Sequence, residues 1–329
     1  MQELSTQKCD WILGIDVAKA KFDIALLLPT GKFKSKVFEN EASGFSKLDA
    51  WLGKQGVARM HACMEATGVY WEALAEHLVD AGHQVSVINP ARIKAFGTSQ
   101  GVRTKTDKVD ARLIATFCQR ISPAPWQAPP LPVRALRALV LRRQALDTMR
   151  TQECNRLQVA HPAVRDSIDT IIAGVNEQMA EVERKIRELI RHDPQLREQF
   201  KLLLSVPALG EKTIALLLSY FSEYQRFDKA NQASAFVGLN VQHRQSGTSL
   251  NAKPRLSKIG HSAARRALYM PAVVAMSKTA WGQAFAARLR AAGKPPMVII
   301  GALMRKLVHI AYGVLKSGKP FDPSLHRLT

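Results

Sequence analysis

The chain has 329 residues, 47% of them hydrophobic, which is enough for two or three domains with sizeable cores. Its 47 Lys and Arg against 27 Asp and Glu leave a net charge of +20, a balance that favours a polyanionic partner. Cys9, Cys63, Cys118 and Cys154 lie far apart with no CxxC pair, which argues against a zinc knuckle or a disulfide framework. No signal-peptide pattern opens the sequence, so a cytoplasmic protein with reduced thiols is expected.

Trp11 to Val17 reads as a buried strand whose apolar run is broken by Asp16, and Phe22 to Leu28 either continues that strand or starts its hairpin partner. Asp10, Asp23, Glu41 and Asp80 read as solvated surface charge. His61 to Glu65 is a second short apolar segment ending in an acid, followed by Ala66-Thr67-Gly68 and an amphipathic helix from about Val69 to Ala81. Glu65 thus faces a turn at a strand end, a usual place for ligand and catalytic groups in α/β folds. Gln84 to Ile88 is another strand, closed by Asn89-Pro90. The run Lys105-Thr106-Asp107-Lys108-Val109-Asp110-Ala111-Arg112 then sets two aspartates at i, i+3 on one helix face, where their repulsion calls for a cation between them. Taken singly, each acid also reads as a turn or cap residue, Asp107 as a helix N-cap. Two acids from strands and two from a later helix form an arrangement suited to holding two magnesium ions over one phosphate.

The proline-rich run from Ser122 to Pro132 ends this α/β region and reads as a domain linker. From Val133 to about Gln199 the pattern is helical and charged. Ala135, Leu136, Leu139, Leu146 and Met149 lie on one stripe, and Ile172, Met179, Val182, Ile186 and Leu189 on another. His161-Pro162 interrupts the two, which predicts an antiparallel helical pair able to dimerise, or a spacer without a partner. Val206-Pro207-Ala208-Leu209-Gly210-Glu211-Lys212 resembles the turn of a helix-hairpin-helix, whose amides and second-helix N-terminus hold a phosphate. Arg244 to Ser249 is a polar loop leading through Lys253, Arg255 and Lys258 into a helix carrying Arg265 and Arg266. From Val241 to the end there are 15 Lys or Arg against one acid, Asp322, interspersed with Tyr269, Trp281 and Phe285, as in a folded domain with a phosphate-binding face. Met297 to Leu315 is apolar but carries Arg305, Lys306 and His309, which suits a core helix rather than a membrane span.

In order, Gly14-Ile15-Asp16-Val17-Ala18-Lys19, Glu65-Ala66-Thr67-Gly68, Asn89-Pro90, Lys105 to Ala111, Val206 to Gly210, Ser246-Gly247 and Ser257-Lys258-Ile259-Gly260-His261 resemble the insertion-sequence-110 family of transposases, the bridge-RNA-guided recombinases. The resemblance spans Ile12 to about Phe321. It implies an α/β plus all-α architecture in three parts. A RuvC-like domain of RNase H fold covers residues 1–125, a linker and coiled-coil helical region covers 126–200, and a mainly helical C-terminal transposase domain with a helix-hairpin-helix-like motif covers 201–329. It further implies that Asp16, Glu65, Asp107 and Asp110 are the catalytic and magnesium-binding acids, with manganese able to substitute, and that Ser246 is the nucleophile. The spacing alone does not reveal that last role. Donor and target DNA and a noncoding bridge RNA are the implied partners. Lys105, Gly210, Lys212, Arg244, Lys253, Arg255, Lys258, Arg265 and Arg266 are the expected nucleic-acid contacts. Acids and serine fall in different domains, so a homodimer, or a tetramer around a two-duplex synapse, is the expected working unit. One departure is visible: the family's Pro-Gly-Ile-Gly reads Pro207-Ala208-Leu209-Gly210 here. Two competing functions remain at this stage: a hydrolytic nuclease or junction resolvase in which water attacks, and a non-enzymatic nucleic-acid-binding protein.

Overall fold

The computed structural model describes residues 11–101, 106–222, 224–246 and 250–326, with the backbone alone at 108, 243–246, 250–253 and 326. The chain divides into two compact units, Met1–Ala128 and Pro129–Thr329.

The first unit is built on a mixed five-stranded sheet. Strands β1 (Ile12–Val17), β2 (Lys21–Leu27) and β3 (Phe33–Glu39) form an antiparallel meander, and helix α1 (Ala42–Lys54) leads into β4 (His61–Glu65). Helix α2 (Glu72–Asp80) precedes β5 (Gln84–Ile88), and α3 (Pro90–Ser99) and α4 (Asp107–Ile121) complete the unit. The strand order is β3-β2-β1-β4-β5, with β4 parallel to both β1 and β5. Phe22 to Leu27 is therefore the hairpin partner of β1, not its continuation.

Alternation along the strands divides the core. Leu13, Ile15, Phe22, Ile24, Ala62 and Met64 pack with residues of α1 and α2. The opposite face sends Cys63 and Ile88 against Ile93 of α3 and Ile114, Phe117 and Cys118 of α4. Each helix on that face begins with a side-chain cap: the Asn89 carboxamide oxygen accepts from Ala91 N at 2.8 Å, and the Thr106 hydroxyl accepts from Val109 N at 3.3 Å. Asp107 is consequently the first helical residue, not the cap.

The proline-rich connector is partly held by this unit. Trp126 N donates to the Val85 carbonyl at 2.6 Å, its ring meets Trp71 edge-on at 5.4 Å, and the buried Ser86 hydroxyl lies 3.0 and 2.9 Å from the carbonyls of Pro123 and Ala124.

The second unit opens with two long antiparallel helices, α5 (Leu131–Val159) and α6 (Pro162–His192). Their buried stripes are Val133, Leu136, Val140 and Leu146 on one and Val175, Met179, Val182, Ile186 and Ile190 on the other, whereas Met149 points outward at 44% exposure. Helix α7 (Pro194–Leu204) is capped by Asp193, and a tight turn links it to α8 (Glu211–Phe221), which is buried from Ile214 onward. Helix α9 (Ala230–Phe236) precedes a two-stranded hairpin, β6 (Val241–Ser246) and β7 (Leu250–Leu256). Helices α10 (Ser262–Ala267), α11 (Tyr269–Lys278), α12 (Ala280–Ala291) and α13 (Pro296–Ser317) follow. The hairpin corrects the expected polar loop: Arg244 and Ser246 lie on β6, and Lys253 and Arg255 on β7. Two strands paired with each other need no apolar face, so alternation gave no signal there. Among the described residues one helix, α13, is long and apolar enough to cross a membrane. Its residues Ile299, Leu303, Leu307, Val308 and Ile310 are central to the core of this unit.

Candidate active site

The first unit gathers acids at one end of one sheet face. Asp16 is the penultimate residue of β1 and Glu65 the last of β4, neighbouring parallel strands whose register pairs Ile12 with His61 and Ile15 with Met64, so the two acids occupy corresponding positions at the carboxyl edge. Above that face runs α4, with Asp107 and Asp110 in its first turn, where negative charge complements the exposed N–H groups of the helix. The close approach of helix to strand depends on Gly14. A Cβ there would lie 2.1 Å from the Ala111 carbonyl oxygen and 2.3 Å from Ala115 N. Ala111 and Ala115 are themselves fully buried.

The crowding has an electrostatic consequence. Half-buried Asp16 has its carboxyl pushed up to about 6, first by burial and then by Asp110, Asp107, Glu65 and Asp23. Asp107 is held below the ordinary carboxylate range by Lys21, whose Nζ donates to its Oδ2 at 2.8 Å. The same ammonium donates to Asp23 Oδ2 at 3.0 Å. Asp23 is 9% exposed and stands directly opposite Asp16 in the β1–β2 register, so its reading as solvated surface charge is overturned. The available signal was the hairpin itself: once β2 folds back on β1, position 23 shares the face of position 16. Glu41, by contrast, precedes α1 at the surface and Asp80 ends α2, while Asp10 lies outside the described residues.

Among the described residues, no three His, Cys, Asp or Glu side chains stand together in ready metal-holding geometry. The acids converge on one end of the sheet without closing into a cage, and Asp107 is turned to Lys21. As a donor set they are oxygen ligands only, the chemistry of magnesium and manganese rather than of zinc or copper.

The remaining candidates belong to the second unit, apart from Lys105, which lies outside the described residues. Ser246 is the last residue of β6 and pairs with Leu250. Arg244 and Lys253 lie on the hairpin, and Arg255 is exposed on it. Lys258 is exposed with φ 57 in the following loop, and Arg266 is exposed on α10. Arg265 is used internally: its Nη1 donates to the carbonyls of Val237 at 3.0 Å and Lys258 at 3.2 Å, tying the loop to the end of α9. Gly210 caps α8 in extended conformation, and Ala208 takes φ 79 in the turn before it. Lys212 Nζ pairs with Glu183 at 2.9 Å. Lys212 and Arg266 also line a cavity of about 640 Å³, together with Arg187 and Arg191 and the apolar Ile186 and Leu216.

Comparisons with known proteins cover most of the chain. The DEDD transposase model of the IS110 group matches residues 13–160, and a model described as transposase of the IS116/IS110/IS902 family matches residues 200–287. The pilin gene-inverting protein of Moraxella bovis is 33% identical over 317 residues, 95% of this chain and 98% of that one, and its namesake from Moraxella lacunata matches to the same extent. An uncharacterized 43.6 kDa protein of insertion element IS110 from Streptomyces coelicolor is 25% identical over 156 residues, 47% of this chain and 37% of that protein. Among solved structures, Thermus thermophilus RuvC aligns over 35% of this chain and 98% of its own, with 13% identity and a TM-score of 0.26.

Proposed function

The chain belongs to the IS110 family of transposases, and on that premise we propose that it cuts and exchanges DNA strands through a covalent serine linkage, guided by an RNA of its own element. Asp16, Glu65, Asp107 and Asp110 hold divalent ions, magnesium with manganese as a substitute, in a RuvC-like domain. Bound there, the ions supply a Lewis acid that neutralises charge developing on the scissile phosphate. Ser246 supplies the nucleophile. Its Oγ bonds to phosphorus as the bond from phosphorus to the 3′ oxygen breaks; the hydroxyl proton passes to solvent base, and the departing oxygen takes up a proton to become a 3′-hydroxyl. Attack by a 3′-hydroxyl of the exchange partner on the phosphoserine restores a phosphodiester and frees the serine. The bond energy is conserved in the linkage, so no nucleotide cofactor is consumed.

Lys212, Arg255, Lys258 and Arg266, with Arg244, Lys253 and Lys105, bind phosphates without reading bases, while pairing with the RNA supplies sequence specificity. Arg265 acts through the loop it ties down. The working unit is a dimer, assembled as a tetramer around two duplexes.

The observation that supports this reading most is the crowding of four acids at one sheet edge beneath a helix N-terminus, which lifts Asp16 to about 6. The test is an adduct assay with protein, magnesium, the RNA flanking the gene in its element, and labelled donor and target DNA, separated under denaturing conditions. A protein-linked DNA species that disappears in Ser246→Ala and in Asp16→Asn is the expected result. Cleaved DNA without adduct, unchanged in Ser246→Ala, would mean that water is the nucleophile and would overturn it.

A further inference from the structure

Lys21 and Asp23 lie outside the four acids, yet the charge balance at the sheet edge runs through them. The β1–β2 register sets Asp23 directly across from Asp16 on the same face, a like-charge pair that destabilises a hairpin unless a cation balances it. Asp23 is buried, so it cannot shed that repulsion into water. The balancing cation is Lys21, which opens β2, donates to Asp23 at 3.0 Å, and reaches across to Asp107, 86 residues on, at 2.8 Å. Three lysines of the neighbouring strand and helix are occupied elsewhere: Lys47 pairs with Glu39, Lys34 bonds Gln55, and Lys36 lies over the Phe38 ring. The Lys21 side chain is 45% exposed, and its four-carbon stem can swing into solvent without moving the strand.

We propose that Lys21, seated on Asp23, is the built-in counter-cation of the carboxylate edge: it fixes Asp107 and competes with a divalent ion for the same carboxylate, and so sets the affinity of the site for metal. The inference rests on the four acids binding metal as described above. Lys21 is a positioning residue here, acting through Asp107. An ammonium seated on a carboxylate occupies one of its lone pairs and repels a cation approaching the same group, so the ion pair is weakened or broken as an ion binds. The cost of breaking the pair is subtracted from the ion's binding, and Asp23 sets that cost by anchoring the ammonium from the other side. Removing the charge while keeping the stem therefore tightens metal binding, whereas a residue that merely shaped the site would loosen it.

The experiment is a titration of Mn²⁺ into the full-length protein, with free ion counted by electron paramagnetic resonance, for wild type, Lys21→Met, Lys21→Arg and Asp16→Asn. Lys21→Met is expected to bind Mn²⁺ about two- to fivefold more tightly than wild type, the range of a solvent-exposed ion pair lost from competition. Lys21→Arg, which retains the charge, returns the affinity to within about twofold of wild type, and Asp16→Asn binds weakly. Unchanged or weaker binding in Lys21→Met, with Asp16→Asn still weak, overturns this inference and leaves the metal site standing. Equal binding in wild type and Asp16→Asn removes the metal site itself and the inference with it. Urea unfolding of Lys21→Met in chelator establishes that the variant is folded.

Discussion

Replacing Gly14 by alanine tests the packing that carries the acids on α4. The new methyl would stand 2.1 Å from the Ala111 carbonyl oxygen, 2.3 Å from Ala115 N and 2.8 Å from Ala115 Cβ. Ordinary contact begins at 3.4 Å, so the helix must retreat by a little over 1 Å. No flexible side chain can absorb the displacement, because two of the three atoms are helix backbone. Overpacking of this kind costs about 1–3 kcal/mol, and a rigid obstacle puts Gly14→Ala near the upper end, a large share of a total stability of roughly 5–15 kcal/mol. The same retreat draws Asp107 and Asp110 away from Asp16 and Glu65. Magnesium demands oxygen ligands at about 2.0–2.1 Å, so a displacement near 1 Å is expected to weaken metal binding by at least about tenfold. Urea unfolding in chelator reads the first effect, and Mn²⁺ titration of the folded variant reads the second. Gly53→Ala is the control, since a Cβ there meets nothing within 4 Å. A Gly14→Ala protein that unfolds at the wild-type urea midpoint and binds Mn²⁺ with wild-type affinity would refute the argument.

Asp16→Asn is expected to stabilise the metal-free protein at pH 7.5 while abolishing DNA processing. The rise from 3.8 to about 6 corresponds to roughly 3 kcal/mol, discounted to about 1–2 kcal/mol because nearly half the group meets solvent. The sign follows from linkage: a carboxyl whose pKa is raised on folding destabilises when ionised. In chelator, wild-type stability should therefore gain an increment as pH falls through 6 toward 4, and the Asn variant should lack that increment; a parallel pH profile for the two proteins contradicts it. Ala208, at φ 79, occupies a backbone region that costs an L residue about 1 kcal/mol or more, so Ala208→Gly should raise stability by about 0.5–1 kcal/mol in urea unfolding, and a loss would show the strain estimate to be wrong. Trp126→Ala removes the edge contact with Trp71 and should cost about 1–2 kcal/mol, with no loss of stability counting against the connector's attachment to the sheet.

What could be read without coordinates follows burial. β1, β4 and β5 are short apolar runs in a sheet with helices on each side, and the acids of β1 and β4 stand out because core residues were due at those positions. β3 and the β6–β7 hairpin were illegible: Lys34 and Lys36 line an edge strand buried only at Phe38, and the sequence of the hairpin has no run of apolar and polar alternation. The i, i+3 spacing places Asp107 and Asp110 on one helix, but nothing local says that Gly14 admits that helix to the sheet, a fact that only the contact with Ala111 and Ala115 supplies. Asp23 was hidden for the same reason, because a charge on a short strand reads as surface until its opposite partner is known. Ser246 stands at the end of β6, and its proposed role comes from family resemblance alone.

The contact between Gly14 and α4 also fixes the rotation of that helix about its own axis. Ala111 and Ala115 are one turn apart, and Asp107 is one turn before them, so the stripe that keys into the strand is continuous with the stripe that presents the first acid. An inserted or deleted residue between Asp107 and Ala111 would turn the acids by about 100° relative to the alanines, and no shift along the axis would restore both. Substitutions are tolerable on the outward side, at Arg112 or Gln119, but the length of this first turn is not free to vary.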